Sequence, residues 1–235
     1  MIREHFQYRT TITTILAERQ EYIEAAKDAM ISARTEIEAI IATDPFFAVT
    51  YEPYPAPAGS LVAGRMADAA KSAGVGPMAA VAGTIAWAGV EAMEEAGAEF
   101  GIVDNGGDIA VVADRPVRIG LYAGTSPLSG KLAFLLPPQE EILGICTSSA
   151  TVGPSVSFGT ADAVTVFSRN VSLADAWATA LCNIAGTGDT NIFSRLNPDE
   201  VQGVFIVHGE EIHRWGDLPE IAAANVDLSL ITAGH

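Results

Sequence analysis

Asp175 and Thr179 are the side chains of this sequence whose types and spacing best suit chemistry. They lie four residues apart in the segment Ser-Leu-Ala-Asp-Ala-Trp-Ala-Thr-Ala-Leu at positions 172–181, and a helix there would place both on one face. A carboxylate and a hydroxyl at one point suit a hard cation such as Mg²⁺, whose remaining positions are filled by water and substrate phosphates. The pair therefore predicts a metal site.

A helix cap explains the same segment without a metal. Ser172 is a good helix N-cap, and Asp175 three residues later would be favourable beside a helix N-terminus. Caps are far commoner than metal ligands, so the local pattern alone favours the cap. Both interpretations stay open until other segments are considered.

The segment Asp104-Asn-Gly-Gly-Asp108 lies between two apolar runs and predicts a tight hairpin turn. Two glycines without side chains would also let a ligand approach the backbone, as phosphate binding requires. Asn105, Gly106, Gly107 and Asp108 are therefore candidate ligand-binding residues. The turn alone is the competing interpretation.

A row of hydroxyl side chains follows a later apolar run. Thr147, Ser148 and Ser149, with Gly153 beyond them, could donate hydrogen bonds to phosphate oxygens. A solvated connecting loop is an equally good interpretation. Asp162 is a candidate second acid, although an aspartate before a strand is more often a turn residue.

Three segments together resemble one known family. Residues 103–109, Val-Asp-Asn-Gly-Gly-Asp-Ile, resemble the GGD loop of the ApbE-like proteins, the FAD:protein FMN transferases. Residues 173–181 resemble their A-D-A-x-A-T-A-L helix, and residues 83–90 are similar to a glycine-rich G-x-I-A-K-G-Y-A stretch upstream of the loop. The order agrees with the family across residues 80–190, which makes the match more specific than one motif.

This resemblance implies an α+β fold with helices packed on a mainly antiparallel sheet. It also implies that Ala86 supplies a backbone carbonyl to the metal held by Asp175 and Thr179. Mg²⁺ and FAD or FMN are then the expected cofactors. The GGD loop and the hydroxyl row would contact the flavin nucleotide.

The sequence also departs from the family. Trp87 stands where the transferases have a lysine, and nothing between Ser149 and Val166 reproduces their H-x-x-D-P-x-T-G segment. Residues 157–162 instead read Ser-Phe-Gly-Thr-Ala-Asp, which resembles a divergent branch of the superfamily. We therefore expect a binder of a flavin nucleotide or related phosphate ligand with Mg²⁺. A Mg²⁺-dependent FAD pyrophosphatase or FMN transferase, and a non-catalytic structural or accessory homo-oligomer, are the alternatives.

Composition excludes several classes of partner. The formal net charge is −16, from 29 acidic and 13 basic residues, so the protein repels nucleic acid and anionic lipid. An anionic small-molecule nucleotide would have to be held locally. The N-terminus carries no apolar leader, which predicts a cytoplasmic protein, and Cys146 and Cys182 lie in apolar runs typical of buried thiols. No zinc motif or nucleophile elbow is present in the sequence.

The organisation of the chain favours a single domain over residues 1–235. Residues 51–59 contain three prolines and mark a boundary that would set off a smaller N-terminal lobe of residues 1–55. Hydrophobic periodicity predicts an opening strand at 6–16 and helices at 18–42 and 173–184, and a glycine-rich helix is expected to end near Gly97. Further strands are predicted at 100–103, 109–112, 117–122, 131–135, 163–167 and 201–207. This alternation indicates an α+β fold.

Overall fold

The computed structural model describes residues 1–151, 158–186, 191–227 and 230–232, and it confirms the α+β class. Its strands are β1 Ile2–Tyr8, β2 Thr11–Ala17, β3 Phe100–Asn105, β4 Asp108–Ala113, β5 Val117–Gly120, β6 Leu132–Leu136, β7 Gln139–Ser148, β8 Ala163–Ser168, β9 Gly203–His208, β10 Glu211–Gly216 and β11 Glu220–Ala223. Its helices are α1 Gln20–Thr43, α2 Phe46–Val49, α3 Leu61–Ala73, α4 Val81–Glu95 and α5 Val171–Ile184, with a 3-10 turn at Pro77–Ala80.

Two antiparallel sheets organise the fold. The larger has eight strands in the order β1-β2-β3-β4-β7-β8-β9-β10, and the smaller has three in the order β11-β6-β5. Every pair of neighbouring strands is antiparallel. The predicted mainly antiparallel sheet is thus confirmed.

The large sheet lies between two hydrophobic cores. Alternation along β3 sends Phe100 and Ile102 to one face and Val103 to the other. One face packs on the helices, and the opposite face packs on the small sheet, where Phe134 contacts Phe167 edge-to-face at 5.0 Å between ring centroids. The ends of the central strands therefore lie between the layer of helices and the small sheet.

Helix α5 begins earlier than the sequence indicated. Asn170, whose side chain accepts a hydrogen bond from Leu173 N at 3.0 Å, is the N-cap. Ser172 lies inside the first turn, and its Oγ is hydrogen-bonded to Thr84 Oγ1 on α4 at 2.7 Å. The predicted Ser172 cap is wrong because Asn170 caps equally well and lies two residues after the end of β8. Asp175 is consequently not part of a capping box on its own helix.

Residues 61–95, which include the glycine-rich stretch 83–90, form two helices joined by a tight turn. Helix α3 ends at Gly74, which adopts φ 75°, and the 3-10 turn then redirects the chain into α4. Gly83 allows close packing, because a Cβ there would lie 2.8 Å from Cβ of Asp175. Among the described residues no single helix is long and apolar enough to cross a membrane, and only α3 and the segment Pro77–Glu95 taken together, bent by 105°, meet that test of length and composition.

Several boundaries differ from the predictions. The opening strand is a hairpin of β1 and β2, turned at Arg9 with φ 56°. The segment around Trp215, which lies outside the predicted strands, forms the edge strand β10. Its mixed polar and apolar side chains are largely exposed, so hydrophobic periodicity gives no signal there. Cys146 and Cys182 are both buried, as predicted.

Candidate functional site

A cavity of about 1650 Å³ lies beside the turn between β3 and β4 and reaches both the helical layer and the small sheet. The predicted ligand-binding residues Asn105, Gly106, Gly107, Asp108, Thr147, Ser148 and Ser149 all line it, together with Asp175 and Thr179. Residues far apart in sequence thus converge on one cavity. The large antiparallel sheet achieves this, since β4 pairs with β7 and α5 packs beneath β7.

The GGD segment forms a two-residue hairpin turn. Asn105 pairs with Asp108 at the ends of the strands, and Gly106 and Gly107 between them adopt φ 70° and 105°. Only glycine enters this region of backbone space without strain. The Asn105 side chain donates from Nδ2 to the Ala82 carbonyl at 3.0 Å, which fixes the turn against the start of α4.

Asp175 connects α5 to the N-terminus of α4. Its Oδ2 accepts a hydrogen bond from the Gly83 backbone N–H at 2.8 Å, in a first turn that no side chain of α4 caps. Asp175 is 5 % exposed and also lines the cavity. Burial raises the pKa of Asp175 to about 7, although the backbone N–H groups of Gly83 and Ala82 lower it. Asp175 is therefore both a cap across two helices and a cavity carboxylate.

Asp108 is the second carboxylate of the site. Its Oδ1 atom is buried and has no hydrogen-bond partner within the part of the chain that the structure describes. Burial raises the pKa of Asp108 well above its ordinary value, and the charges of Asp175 and then Asp104 raise it further. A buried carboxylate oxygen without a partner is costly. A bound cation would remove that cost.

Hydroxyl side chains line the same cavity as the two carboxylates. Ser148 Oγ and Thr179 Oγ1 are 3.2 Å apart, which joins the end of β7 to α5. Thr147 lies on the other face of β7, where its Oγ1 is 2.9 Å from Thr165 Oγ1. Ser149 Oγ accepts from the Thr151 backbone N–H at 3.0 Å. Ser148 and Thr179 are thus the hydroxyls on the side of Asp175.

The donor set fits Mg²⁺ better than a softer metal. Among the described residues, no group of three or more His, Cys, Asp or Glu side chains is arranged to hold a metal ion. A cation at Asp108 and Asp175 would therefore need the Thr179 hydroxyl, water or ligand phosphates to complete its shell, which is the usual coordination of Mg²⁺. Zinc, in contrast, takes nitrogen and sulfur ligands.

Ala86 is fully buried in the middle of α4, whereas Ala82, one turn earlier, lines the cavity. A mid-helix carbonyl ordinarily accepts the N–H four residues later. The metal role of Ala86 stays a prediction.

Other candidates lie elsewhere. Asp162 Oδ2 accepts from the Gly209 backbone N–H at 2.7 Å, which stabilises the turn between β9 and β10. The Trp87 ring packs under the Arg65 guanidinium at 4.0 Å. Residues 152–157, including the serine of the Ser-Phe-Gly signature, lie outside the described residues.

Asp104 is a site residue that sequence reasoning did not select. Its Oδ1 accepts from the Gly107 backbone N–H at 2.9 Å, and its Oδ2 accepts from Thr232 Oγ1 at 2.7 Å. Burial raises the pKa of Asp104. Its place before the two glycines was a signal for this role, since an aspartate there readily accepts a turn N–H.

Proteins of similar sequence are known. The chain is 62% identical to a UPF0280 protein of Methanosphaerula palustris, covering 100% of this chain and 99% of the relative. It is 64% identical to a UPF0280 protein of Methanoculleus marisnigri, with 100% and 96% covered. These relatives match throughout the chain.

Solved structures share the fold at low sequence identity. A point mutant of the flavin transferase ApbE from Vibrio cholerae aligns with TM-score 0.62 and 13% identity over 91% of this chain and 96% of that chain. The apo flavinyl transferase ApbE of Pseudomonas stutzeri aligns with TM-score 0.52 and 14% identity over 100% and 98%. The family model described as AbpE bacteria matches residues 3–202. The chain therefore belongs to this ApbE-like family.

Proposed function

We propose that the protein binds a flavin nucleotide, FAD or FMN, or a related phosphate ligand, together with Mg²⁺. The buried Asp108 and Asp175 carboxylates carry this proposal, because Oδ1 of Asp108 has no partner among the described residues. A cation stabilises two buried carboxylates whose charges repel each other, as those of Asp108 and Asp175 do. Thr179 adds a neutral oxygen donor beside them.

The acidity of the protein explains why a metal would be needed. With a net charge of −16, the protein repels a pyrophosphate at long range. Asp108, Asp175 and Thr179 would hold Mg²⁺, and its positive charge would offset that repulsion locally. The glycine turn and the Ser148 hydroxyl would then contact the phosphates, and a cavity of about 1650 Å³ has room for a dinucleotide.

The family relationship supports a flavin nucleotide as the ligand. The solved structures that share this fold are described as flavin transferases. Efficient transfer of flavin to a protein is not what we propose for this chain, since Trp87 replaces the family lysine and packs under Arg65. Binding can persist after groups needed only in the transition state are lost.

A Mg²⁺-dependent FAD pyrophosphatase or FMN transferase is the second candidate. The two carboxylates favour it, because Mg²⁺ held there would neutralise charge on a leaving phosphate. Asp108 and Asp175 would hold the metal at the phosphate end of the cavity, and their burial would limit the access of water there. The third candidate is a structural or accessory homo-oligomer. Such a role would not need Asp175 at the cavity, yet Asp175 lines it.

Titration calorimetry tests binding. Wild-type protein should bind FAD with Mg²⁺ and lose most of that affinity in EDTA. Asp175→Asn should weaken binding roughly tenfold or more, because a charged ligand is lost. Asp162→Asn is the matched control, since this acid also accepts a backbone N–H but serves the turn at Gly209. Equal affinities for wild type and Asp175→Asn would remove Asp175 from the site.

A second assay separates binder from enzyme. The protein is incubated with FAD, Mg²⁺ and an acceptor domain of a flavinylated protein, and covalent flavin is measured by mass. We expect neither covalent flavin nor rapid AMP release. AMP release alone would identify a pyrophosphatase, and covalent flavin formed at an enzymatic rate would identify a transferase.

A further inference from the structure

The C-terminal segment of residues 230–232 forms part of the cavity wall. All three residues line the cavity, as does Asp104 near the end of β3. The Leu230 carbonyl accepts a hydrogen bond from Nη2 of Arg3 on β1 at 2.6 Å. This segment is therefore attached to the first strand of the large sheet, beside the candidate site.

Three polar residues form a row across the large sheet next to this segment. The strand register pairs His5 on β1 with Thr14 on β2, and it pairs Thr14 with Asp104 on β3. Side chains of directly paired residues lie on the same face of a sheet. The row therefore leads from His5, which is exposed on the edge strand, to the strand end that carries the glycine turn.

Thr232 completes this row. Its Oγ1 donates to Asp104 Oδ2 at 2.7 Å and also lies 2.7 Å from Thr14 Oγ1. Thr14 Oγ1 in turn lies 3.0 Å from Nδ1 of His5. A hydroxyl has one hydrogen to donate, so Thr232, which donates to the Asp104 carboxylate, must accept from Thr14. Thr14 must then accept from Nδ1 of His5. The contacts form one chain of hydrogen bonds that ends at the carboxylate.

Asp104 connects this chain to the glycine turn. Its other oxygen, Oδ1, accepts from the Gly107 backbone N–H at 2.9 Å. Gly106 and Gly107 adopt positive φ and have no side chains to hold them in place, so this hydrogen bond restrains the turn. Burial raises the pKa of Asp104, and among the groups that lower it the Thr232 hydroxyl has the largest effect. Thr232 therefore favours the ionised carboxylate that holds Gly107.

We propose that Thr232 is a positioning residue of the nucleotide site, which orients Asp104 and thereby holds the glycine turn in the geometry that receives the ligand phosphates. The identity of the ligand in this inference rests on the proposed function. A glycine turn without this restraint would have to be ordered when the ligand binds, and the cost of ordering lowers affinity. The C-terminal segment is then a component of the site and not only a wall of the cavity.

Thr232→Val tests this role, since it removes the hydroxyl and keeps the branched side chain. NMR in EDTA measures the exchange rate of the Gly107 amide hydrogen, relative to amides of the central strand β7 that report overall stability. Calorimetry measures the affinity for FAD with Mg²⁺. We expect Gly107 to exchange roughly tenfold or more faster and FAD to bind roughly tenfold or more weakly, the effect of losing a hydrogen bond to a charged group. Thr232→Ser keeps the hydroxyl and should retain both wild-type values.

Two adjacent threonines on β2 provide matched variants. Thr13 is 0% exposed and Thr14 is 1% exposed, but Thr13 Oγ1 donates to the Phe6 carbonyl at 3.3 Å and lies outside the row. Thr14→Val should change both measurements in the same direction as Thr232→Val, because Thr232 loses the donor that orients it. Thr13→Val should leave the relative exchange of Gly107 and the affinity for FAD at their wild-type values.

The two measurements separate this inference from the proposed function. Unchanged exchange of Gly107 in Thr232→Val would overturn the positioning role. Faster exchange with unchanged affinity for FAD would also overturn it and leave the proposed function standing. Wild-type protein that binds no FAD would overturn both. A loss that Thr232→Ser fails to restore, or that Thr13→Val reproduces, would contradict the role of the Thr232 hydroxyl.

Discussion

Asp175→Asn is expected to stabilise the metal-free protein, although it removes a charged group that caps α4. Asparagine keeps an oxygen for the Gly83 N–H, so the hydrogen bond of 2.8 Å can persist. What disappears is the ionised form of a buried carboxyl. Its pKa is raised from 3.8 to about 7 in the folded protein. Ionisation is therefore less favourable in the folded state than in the unfolded state.

The difference in the pKa of Asp175 between the folded and unfolded states gives the sign and size of its effect on the free energy of unfolding. Between pH 3.8 and about 7 the unfolded chain has lost the proton that the folded chain keeps, so this group lowers stability as pH rises. The penalty is complete above the folded pKa and amounts to about 4 kcal/mol at pH 8, against about 2 kcal/mol at pH 5. Asp175→Asn should remove it, with the larger gain at pH 8.

Urea unfolding in EDTA at the two pH values measures this difference. The free energy of unfolding of Asp175→Asn should exceed that of wild type at pH 8 by more than at pH 5. Asp162→Asn, which removes an acid from the turn at Gly209, should not reproduce the gain. A variant less stable than wild type at pH 8 would refute the reasoning. It would mean that the ionised carboxylate stabilises the α4 N-terminus as a charged cap.

Further predictions concern the residues around this carboxylate. Gly83→Ala should lower the free energy of unfolding by about 1–3 kcal/mol, because the added Cβ would lie 2.8 Å from Cβ of Asp175 on α5. Gly64→Ala in α3 should raise it by about 0.5–1 kcal/mol, because nothing lies within 4 Å of the added Cβ. Urea unfolding measures both changes. Thr179→Val should weaken Mg²⁺-dependent FAD binding roughly tenfold in calorimetry while the melting temperature changes little, since shape is kept and only an oxygen donor is lost. Trp87→Lys should lower stability by about 1–2 kcal/mol, because its ring contact with Arg65 is lost, and should produce no covalent flavin in the mass assay; a gain of flavinylation would show that this position does reach the reacting atoms.

The sequence predicted which residues share a helix face better than it predicted the helix caps. The spacing of Asp175 and Thr179 identified a shared helix face, and the structure places both on the cavity. The role of Ser172 was wrong because a cap depends on where the helix begins. That boundary was fixed by Asn170 and by the packing of Ser172 on Thr84, a contact between helices.

Other features depended on pairings that a single sequence does not show. The GGD motif predicted a turn, but only the register of β3, β4 and β7 places Asp108 near the buried face of α5. The partner of Asp175 is a backbone N–H of α4, for which no side-chain motif exists. Edge strand β10 has mostly exposed side chains and therefore lacks periodic hydrophobic residues.

We propose that the Asp108 and Asp175 carboxylates hold a divalent cation beside the phosphates of a nucleotide. Crystals grown with FAD and Mn²⁺, a hard cation with an anomalous signal, test it most directly. We expect one anomalous peak within bonding distance of both carboxylates and the FAD phosphates, absent from Asp175→Asn crystals. FAD seated in the cavity with no metal peak at these carboxylates, or a peak elsewhere on the protein, would contradict it.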